Sequence, residues 1–458
     1  MTVVLDTRDD FTLANFRRVC YGGEAVQLGE QARRALTAPG WSSAAPGEAS
    51  AASTRAVPAA AAPADSGSAG SGGGYLDEAL VRGILFARLA GCVSGHTAVR
   101  LAAAERVAAL LDGPAPRVPS GGPAGPDDAA VMAAALAEVR RADLGEAERR
   151  ALAEPAPCPA ALAADTALRS RHRLESAQAV CALSIEAFGA PLGAYDAALD
   201  DLWGDAHEAA ALRALRHHLD GAGTDGRRFH QAPVSYRIIP RVLGQAHRAV
   251  TAVKKAAATA LRAVTGDVLL AGRILPNGGF HNGMAYPAMN ALTATWADLA
   301  LVAERQITAL NSAETSGLPV NLAVLEAAPI GTYGYGWAAS SYVEEARAAA
   351  APALLPAAVC DPLSDVLSPA FSAHRRERRA AECLDGVLAI LVIVSSQALF
   401  VTGRSPAGPL RPLLSFARSV FPPIDGTGVR DLSADGRLLQ QALSAAAVTG
   451  HLVPAPGP

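Results

Sequence analysis

The chain has 458 residues, half of them apolar, and 40 basic against 43 acidic side chains give a formal net charge of -3. That length permits one large helical domain or roughly two to three smaller ones, and the even mixture of charges excludes a broad basic surface for nucleic acid. Aromatic residues make up only 5% while Ala is abundant, which suits closely packed helices, since Ala loses almost no side-chain entropy in a helix, and suits β-sheet poorly.

Residues 1–40 read as a short ordered lead-in, with Thr12 as N-cap of a helix over Leu13 to Arg18 and a second helical stretch from Gly29 to Leu36. Residues 41–74 are Ala, Ser, Pro and Gly with almost no bulky side chain. Such a tract buries too little apolar area to offset its ordering entropy, so a flexible linker or lid remnant is expected. Helical texture resumes at Tyr75 and runs through Leu111, with Leu76, Leu80, Ile84, Leu85 and Leu89 on one face. A Pro/Gly break over Gly113 to Pro126 precedes a helix from Asp127 to Ala142, and Pro155 to Pro159 forms another break. Long helical tracts follow at Leu174 to Phe188, Ala206 to Leu219, Ile239 to Val264, Ala288 to Leu310 and Phe371 to Phe400. Residues 75–458 are therefore expected to form one all-α domain built on a bundle of long helices, ending in a frayed tail at Val453 to Pro458.

Six cysteines without CxxC or other metal spacing fit a reducing compartment. The acidic N-terminus, MTVVLDTRDDFTL, lacks the basic patch and apolar run of an export signal, so a cytoplasmic protein is expected. Val387 to Val394 is continuously apolar, but Ser395, Ser396 and Gln397 interrupt the run. A membrane span needs about 20 apolar residues, so a buried bundle helix explains the segment better and no membrane contact is expected. The run from His374 to Arg379 reads as a solvated helix face. His217 and His218 are adjacent on a helix, so their side chains diverge by about 100° and cannot share a metal. No metal site, phosphate loop or nucleotide fingerprint is apparent.

Four stretches carry a resemblance. Leu76 to Arg82 followed by Ala87 to Gly95 looks like a helix preceding a cofactor loop. Ala182 to Gly189 with Tyr195, Asp196 and Ala197 is similar to a segment ending Pro-Phe-Asp-Ala. Ala232-Pro233-Val234-Ser235-Tyr236-Arg237 matches an Asp-Pro-Tyr-Ser-Leu-Arg pattern. Asn277-Gly278-Gly279-Phe280-His281, with Glu304-Arg305-Gln306-Ile307 further on, is similar to Gly-Gly-Asn-Phe-His followed by Ser-Glu-Arg-Arg-Ile. In this order and spacing, from Tyr75 to about Arg404, they resemble the aromatic amino-acid ammonia-lyases, the histidine and phenylalanine ammonia-lyase family. The resemblance implies a nearly all-helical homotetramer with a long central helix bundle and sites assembled from three subunits.

The same resemblance implies a reaction that removes ammonia and a weakly acidic β-proton. Its electrophile is a methylideneimidazolone ring, formed when an Ala-Ser-Gly tripeptide cyclises and the serine loses water. Here the matching tripeptide is Pro123-Ala124-Gly125, and Ala124 has no hydroxyl to eliminate. The family's base is a tyrosine on an N-terminal loop, and the tract from Trp41 to Gly74 contains no tyrosine. A second functional tyrosine falls at Val234, and the family's Gln-Glu-Asp-His stretch falls near Ser368-Pro369-Ala370-Phe371. No cofactor is therefore expected.

Some substrate-facing positions persist. Arg237 matches the arginine that holds the substrate carboxylate, a task suited to a guanidinium fork; pairing with a helix carboxylate is the structural alternative. Phe280, His281 and Asn282 follow a Gly pair at a helix start, where they line a site or simply cap the helix. Gly331 to Trp337 places Tyr333 and Tyr335 between glycines, either as acid/base residues or as packing. Tyr236, His281, Tyr333 and Tyr335 are the catalytic candidates, with Arg237, Phe280 and Asn282 binding the substrate. Two readings follow: a protein repurposed for cofactor-free elimination, addition or cyclisation on a small carboxylate or amino-acid-like ligand, or an inactive partner subunit in a hetero-oligomer with an intact homologue.

Overall fold

The computed structural model describes residues 2–37, 74–121, 126–227, 231–324, 331–357, 365–426 and 432–449. The tripeptide Pro123-Ala124-Gly125, the low-complexity tract up to Gly73 and the C-terminal tail lie outside these residues. In chain order the N-terminal part holds β1 (Thr2–Leu5), α1 (Leu13–Cys20), β2 (Ala25–Leu28), α2 (Glu30–Thr37), α3 (Glu78–Val93) and α4 (Leu101–Ala109). Next come α5 (Asp128–Ala135), α6 (Ala137–Arg140), α7 (Glu146–Ala153), α8 (Pro157–Phe188), α9 (Leu199–Leu202) and α10 (Ala206–His218). The chain continues through α11 (Val234–Arg237), α12 (Ile239–Arg262), β3 (Val268–Leu270), β4 (Arg273–Leu275), α13 (Ala285–Asn311) and α14 (Ala313–Ser316). It ends with α15 (Tyr333–Ala349), α16 (Ala370–Thr402), α17 (Arg411–Val420) and α18 (Leu432–Thr449). The expected all-α class holds.

Two compact units divide the chain. The first contains residues 1–167, 253–289 and 352–375, and the second residues 168–252, 290–351 and 376–458.

In the first unit Thr12 caps α1 by accepting from the Asn15 N–H at 3.1 Å, satisfying one of the helix's orphan donors. Phe11 and Phe16 pack on Phe86 of α3 at ring separations of 4.9 and 5.8 Å. α1 comes so close to α3 that a Cβ on Gly83 would stand 2.6 Å from the Phe16 ring. Arg82, also on α3, is buried and donates to three carbonyls, Val19 at 3.1 Å, Gly113 at 2.9 Å and Leu111 at 2.6 Å. A guanidinium spread over the ends of neighbouring segments satisfies carbonyls that no helix ladder reaches. Deeper in this unit the Tyr21 hydroxyl donates to Asp165 Oδ1, and His374 Nε2 lies 2.8 Å from Asp165 Oδ2.

In the second unit Arg173 of α8 and Asp385 of α16 form a bidentate pair, with nitrogen-to-oxygen distances of 2.8 and 2.9 Å and both side chains buried. Trp296 of α13 donates its indole N–H to Glu377 of α16 at 2.9 Å. Small residues let the helices meet closely, as where Gly386 of α16 receives the Tyr342 ring of α15.

Several sequence expectations change. The break at Pro155 to Pro159 is the start of α8, whose first residue is Pro157; a proline in the first helical turn removes an N–H that has no helical partner anyway. The stretch from Tyr75 to Leu111 is two helices, α3 and α4, parted by Ser94–Arg100. The lead-in forms a parallel β1–β2 pair in the register Thr2↔Ala25. The β3–β4 hairpin turns through Ala271 and Gly272, both at positive φ, as a tight two-residue hairpin requires. The run at His374 is not a solvated face, because His374 and Glu377 point inward at helical spacing while Arg375 and Arg379 are exposed. α16 is long and apolar enough to cross a membrane, with a mean hydropathy of 2.1 over 18 residues, yet 89% of that window is buried inside the protein.

Removing one partner of a buried, bidentate ion pair leaves an uncompensated charge. Asp385→Ala is expected to cost about 3–5 kcal/mol in denaturant unfolding. The double replacement Arg173→Met with Asp385→Leu should recover most of that loss, because the apolar pair carries no desolvation cost.

Candidate functional site

The residues singled out from the sequence fall in both units. In the first, α5 begins immediately beyond the tripeptide. Asp127 is its N-cap, accepting from the Ala129 N–H at 3.4 Å. Asp128, one residue on, is therefore not needed as a cap, and its side chain turns inward to 8% exposure. Ser368 lies close enough to this carboxyl to oppose a rise in its pKa, and the Cys158 thiol of α8 lies 3.6 Å from the Asp128 backbone carbonyl. Burial is the largest influence on this carboxyl and raises it to about 7, and the charge of Asp127 adds to the rise. Ser368 itself is held at the start of α16, where its Oγ accepts from the Ala370 N–H at 3.3 Å.

The segment from Asn277 to Asn282 belongs to the same unit. Asn277 ties it down, donating to the carbonyls of Gly266 at 2.6 Å and Leu275 at 3.1 Å and accepting from Gly279 N–H at 2.8 Å. A Cβ on Gly279 would stand 2.6 Å from the Thr265 carbonyl oxygen, so this approach needs glycine. Phe280 and His281 are half-buried. His281 Nε2 sits 3.1 Å from the carbonyl oxygen of Leu367, the residue before Ser368. Asn282 adopts a left-handed conformation and accepts from Met284 N–H at 3.3 Å, so its side chain serves the turn. Asp128, Ser368 and His281 are thus gathered on the short segment Leu367–Ser368. Asp128 was absent from the sequence candidates; two acidic residues opening one otherwise apolar helix, where one alone can cap, were the available signal.

In the second unit Arg237 ends α11 exposed, with Nε donating to the Ala232 carbonyl at 3.0 Å. It lines a cavity of about 300 Å³ together with Trp203, Arg241, Gln245 and Asp298. Among the described residues no carboxylate forms an ion pair with Arg237. Gln306 of α13 holds the start of α11 by donating to the Ser235 carbonyl at 3.1 Å, a positioning contact that the sequence match at Glu304 to Ile307 did not reveal.

Tyr236 is different from its neighbour. It is fully buried, stacked on Phe188 at 4.4 Å, and its hydroxyl accepts from Ser184 at 3.3 Å. A general acid or base must reach the substrate, and in this chain the Tyr236 ring is packed in the core. Tyr335 is also buried, at 3% exposure, and packed edge-on against Phe421. Tyr333 is exposed beside Trp337 and lines an open cavity of about 680 Å³. The buried Glu304 on that cavity's wall accepts from Thr308 at 2.9 Å and Ser340 at 3.3 Å and pairs with Arg305.

The donor set does not fit a methylideneimidazolone. Its exocyclic methylene derives from a serine hydroxyl, and residues 120–130 contain one serine, Ser120, four positions before Ala124; its Oγ donates to the Gly74 carbonyl at 2.8 Å. The first unit also holds the buried Asp128 carboxyl, which burial raises to about 7.

A carboxyl whose folded value is raised binds a proton in the folded state that the unfolded chain has released between about pH 4 and 7, so stability falls as pH rises through that window. Asp128→Asn should abolish this term, on the order of a few kcal/mol for a shift of this size. Its melting temperature relative to the unsubstituted protein is expected to climb from pH 5 to pH 8, as read by calorimetry.

Comparison with known proteins agrees with this architecture. The family described as aromatic amino acid lyase matches residues 125–418. A histidine ammonia-lyase of Geobacillus thermodenitrificans is 28% identical over 405 residues, covering 80% of this chain and 80% of that protein. Among solved structures, tyrosine aminomutase from Streptomyces globisporus superposes with a TM-score of 0.82 at 21% identity, covering 100% of both chains. Ergothionase from Treponema denticola gives 0.83 at 15% identity, covering 98% of this chain and 100% of that one. With more than half of its length under the family match and an ammonia-lyase fold along nearly all of it, the chain belongs to the aromatic amino acid lyase family.

Proposed function

We propose that this chain is a cytoplasmic member of the family that works without methylideneimidazolone, catalysing a cofactor-free elimination, addition or cyclisation on a small carboxylate-bearing or amino-acid-like metabolite. The observation that carries the reading is Ala124 at the position of the cyclising serine: with no hydroxyl to lose, the tripeptide cannot yield the electrophile. The absence of tyrosine between Trp41 and Gly74, and Val234 where the family has its second tyrosine, remove the usual acid/base set as well. Arg237 supports retained ligand binding, since it stands exposed on a cavity wall at the position the resemblance implies for a carboxylate-binding arginine. The active assembly is a homotetramer in this reading.

One observation favours a second reading. Beyond the lost electrophile, the burial of Tyr236 and Tyr335 leaves few candidate acid/base groups in the second unit. Such a chain would serve as an inactive subunit that completes or regulates an intact homologue in a hetero-oligomer. Co-purification with an active ammonia-lyase supports that reading, and a homotetramer with turnover of its own removes it.

An ultraviolet spectrum and intact mass of the purified protein test the first claim. The mass should equal that of the unmodified sequence; a mass lower by two waters, one from cyclisation and one from elimination, together with a new near-ultraviolet band, would reverse it. Thermal-shift screening against amino acids and small carboxylates then identifies ligands. Arg237→Ala should weaken a carboxylate hit about 10- to 100-fold, the worth of a charge-assisted hydrogen bond, while the melting temperature without ligand stays unchanged.

A further inference from the structure

We propose that a cavity lined by α8, α16 and α18 is a binding site for a small phosphate-bearing metabolite. It has a volume of about 410 Å³, lies within the second unit and shares no lining residue with the Arg237 cavity. Arg169 and Arg173 of α8, Arg378 and Arg379 of α16 and Arg437 of α18 line it, against only two carboxylates, Glu377 and Glu382. Both carboxylates are already committed. Glu377 is buried and accepts the Trp296 indole N–H at 2.9 Å, and Glu382 is divided between Arg378 at 3.8 Å and Arg379 at 3.6 Å. Asp385 holds Arg173, and Glu345 accepts from Arg379 Nε at 2.8 Å, but neither of these two acids lines the cavity. Arg437 is exposed and forms no ion pair among the described residues.

Guanidiniums brought to one cavity from three helices repel one another unless an anion stands among them. Arg169 and Arg173 are one helical turn apart and share a face of α8, a spacing at which like charges destabilise a helix. The wall is nevertheless fixed without a ligand. Gln440 of α18 donates to the Glu382 carbonyl at 3.0 Å and accepts from the Tyr342 hydroxyl at 3.1 Å, which ties α18 to α15 and α16. A preformed site loses little ordering entropy when it fills. The arrangement also restricts the anion. One guanidinium fork satisfies a planar carboxylate, whereas guanidiniums approaching from three helices suit a tetrahedral oxyanion whose oxygens point apart. A phosphate ester carries about 1.5 to 2 negative charges near neutral pH, in keeping with the excess of cations on the wall. The volume falls in the range of small-metabolite pockets, roughly 300–1,000 Å³, so phosphate is the anchor of a larger molecule. The site is independent of the cofactor-free reading and stands whether or not that reading does.

Isothermal titration of the full-length protein with pyrophosphate tests the site, with citrate and sodium chloride at matched ionic strength as comparators. Pyrophosphate should bind saturably at one site per chain, citrate at least about 10-fold more weakly and chloride without saturation. Arg437→Glu, a change at an exposed position of α18, should weaken pyrophosphate at least about 10-fold, the worth of a charge-assisted contact. Arg378→Gln should weaken it in the same direction, so the result does not hang on one variant folding, and Arg237→Ala should leave it unchanged. No saturable binding, heat that chloride reproduces, or an affinity that survives both the Arg437 and Arg378 substitutions overturns the site. Citrate binding as tightly as pyrophosphate overturns the phosphate assignment, and an affinity lost only in Arg237→Ala places the anion in the other cavity and overturns the proposal as well.

Discussion

The architecture depends on charge taken out of water between helices that have little bulk to pack with. α8 and α16 are joined in the second unit by Arg173 and Asp385, both buried and bonded through two parallel contacts. In the first unit the same two helices are joined by Asp165 and His374. Ala-rich surfaces slide past one another with small changes in apolar contact, so hydrophobic burial alone fixes helix register weakly. A buried ion pair has the opposite property: displaced by one turn, each partner faces the full desolvation cost alone. Trp296 with Glu377 adds a third register mark, between α13 and α16.

That constraint explains which parts of the fold were legible in the sequence. Periodicity reports where apolar side chains repeat, so the long helices were visible, and Thr12 announced its helix by the hydroxyl that caps it. Partner choice leaves no such trace. Nothing local marks Asp385 as the partner of a residue 212 positions away, and the charged run at His374 looks like a solvent face until Asp165 and Trp296 are placed beside it. Proline misled in the other direction, because Pro157 breaks a helix interior but suits a first turn. The two small β-pairs escaped because three- and four-residue strands carry too little alternation to register against a helical background.

The candidate site divides in the same way. Arg237 and His281 could be found because short patterns of the resemblance contain them, and both have a polar contact to a backbone carbonyl that orients the side chain. Tyr236 belongs to the same pattern, yet its ring is a core element on Phe188, which shows that a residue type capable of acid/base work says nothing about whether it faces substrate. Asp128 is the converse. Its raised proton affinity comes from burial, which is not a property of the local sequence.

In the proposed reading, alanine at position 124 also changes the problem the rest of the site must solve. An electrophilic ring draws electrons from the substrate's amine or aromatic ring and so makes an ordinary C–H bond acidic; a protein without it has only hydrogen bonds, charges and proton carriers. These stabilise charge that the substrate can already delocalise, but they do not create a sink where the substrate has none. A family fold that loses its ring therefore either stops reacting or turns to substrates that bring their own carbonyl. In the second case the useful base is one whose affinity for a proton is matched to working pH.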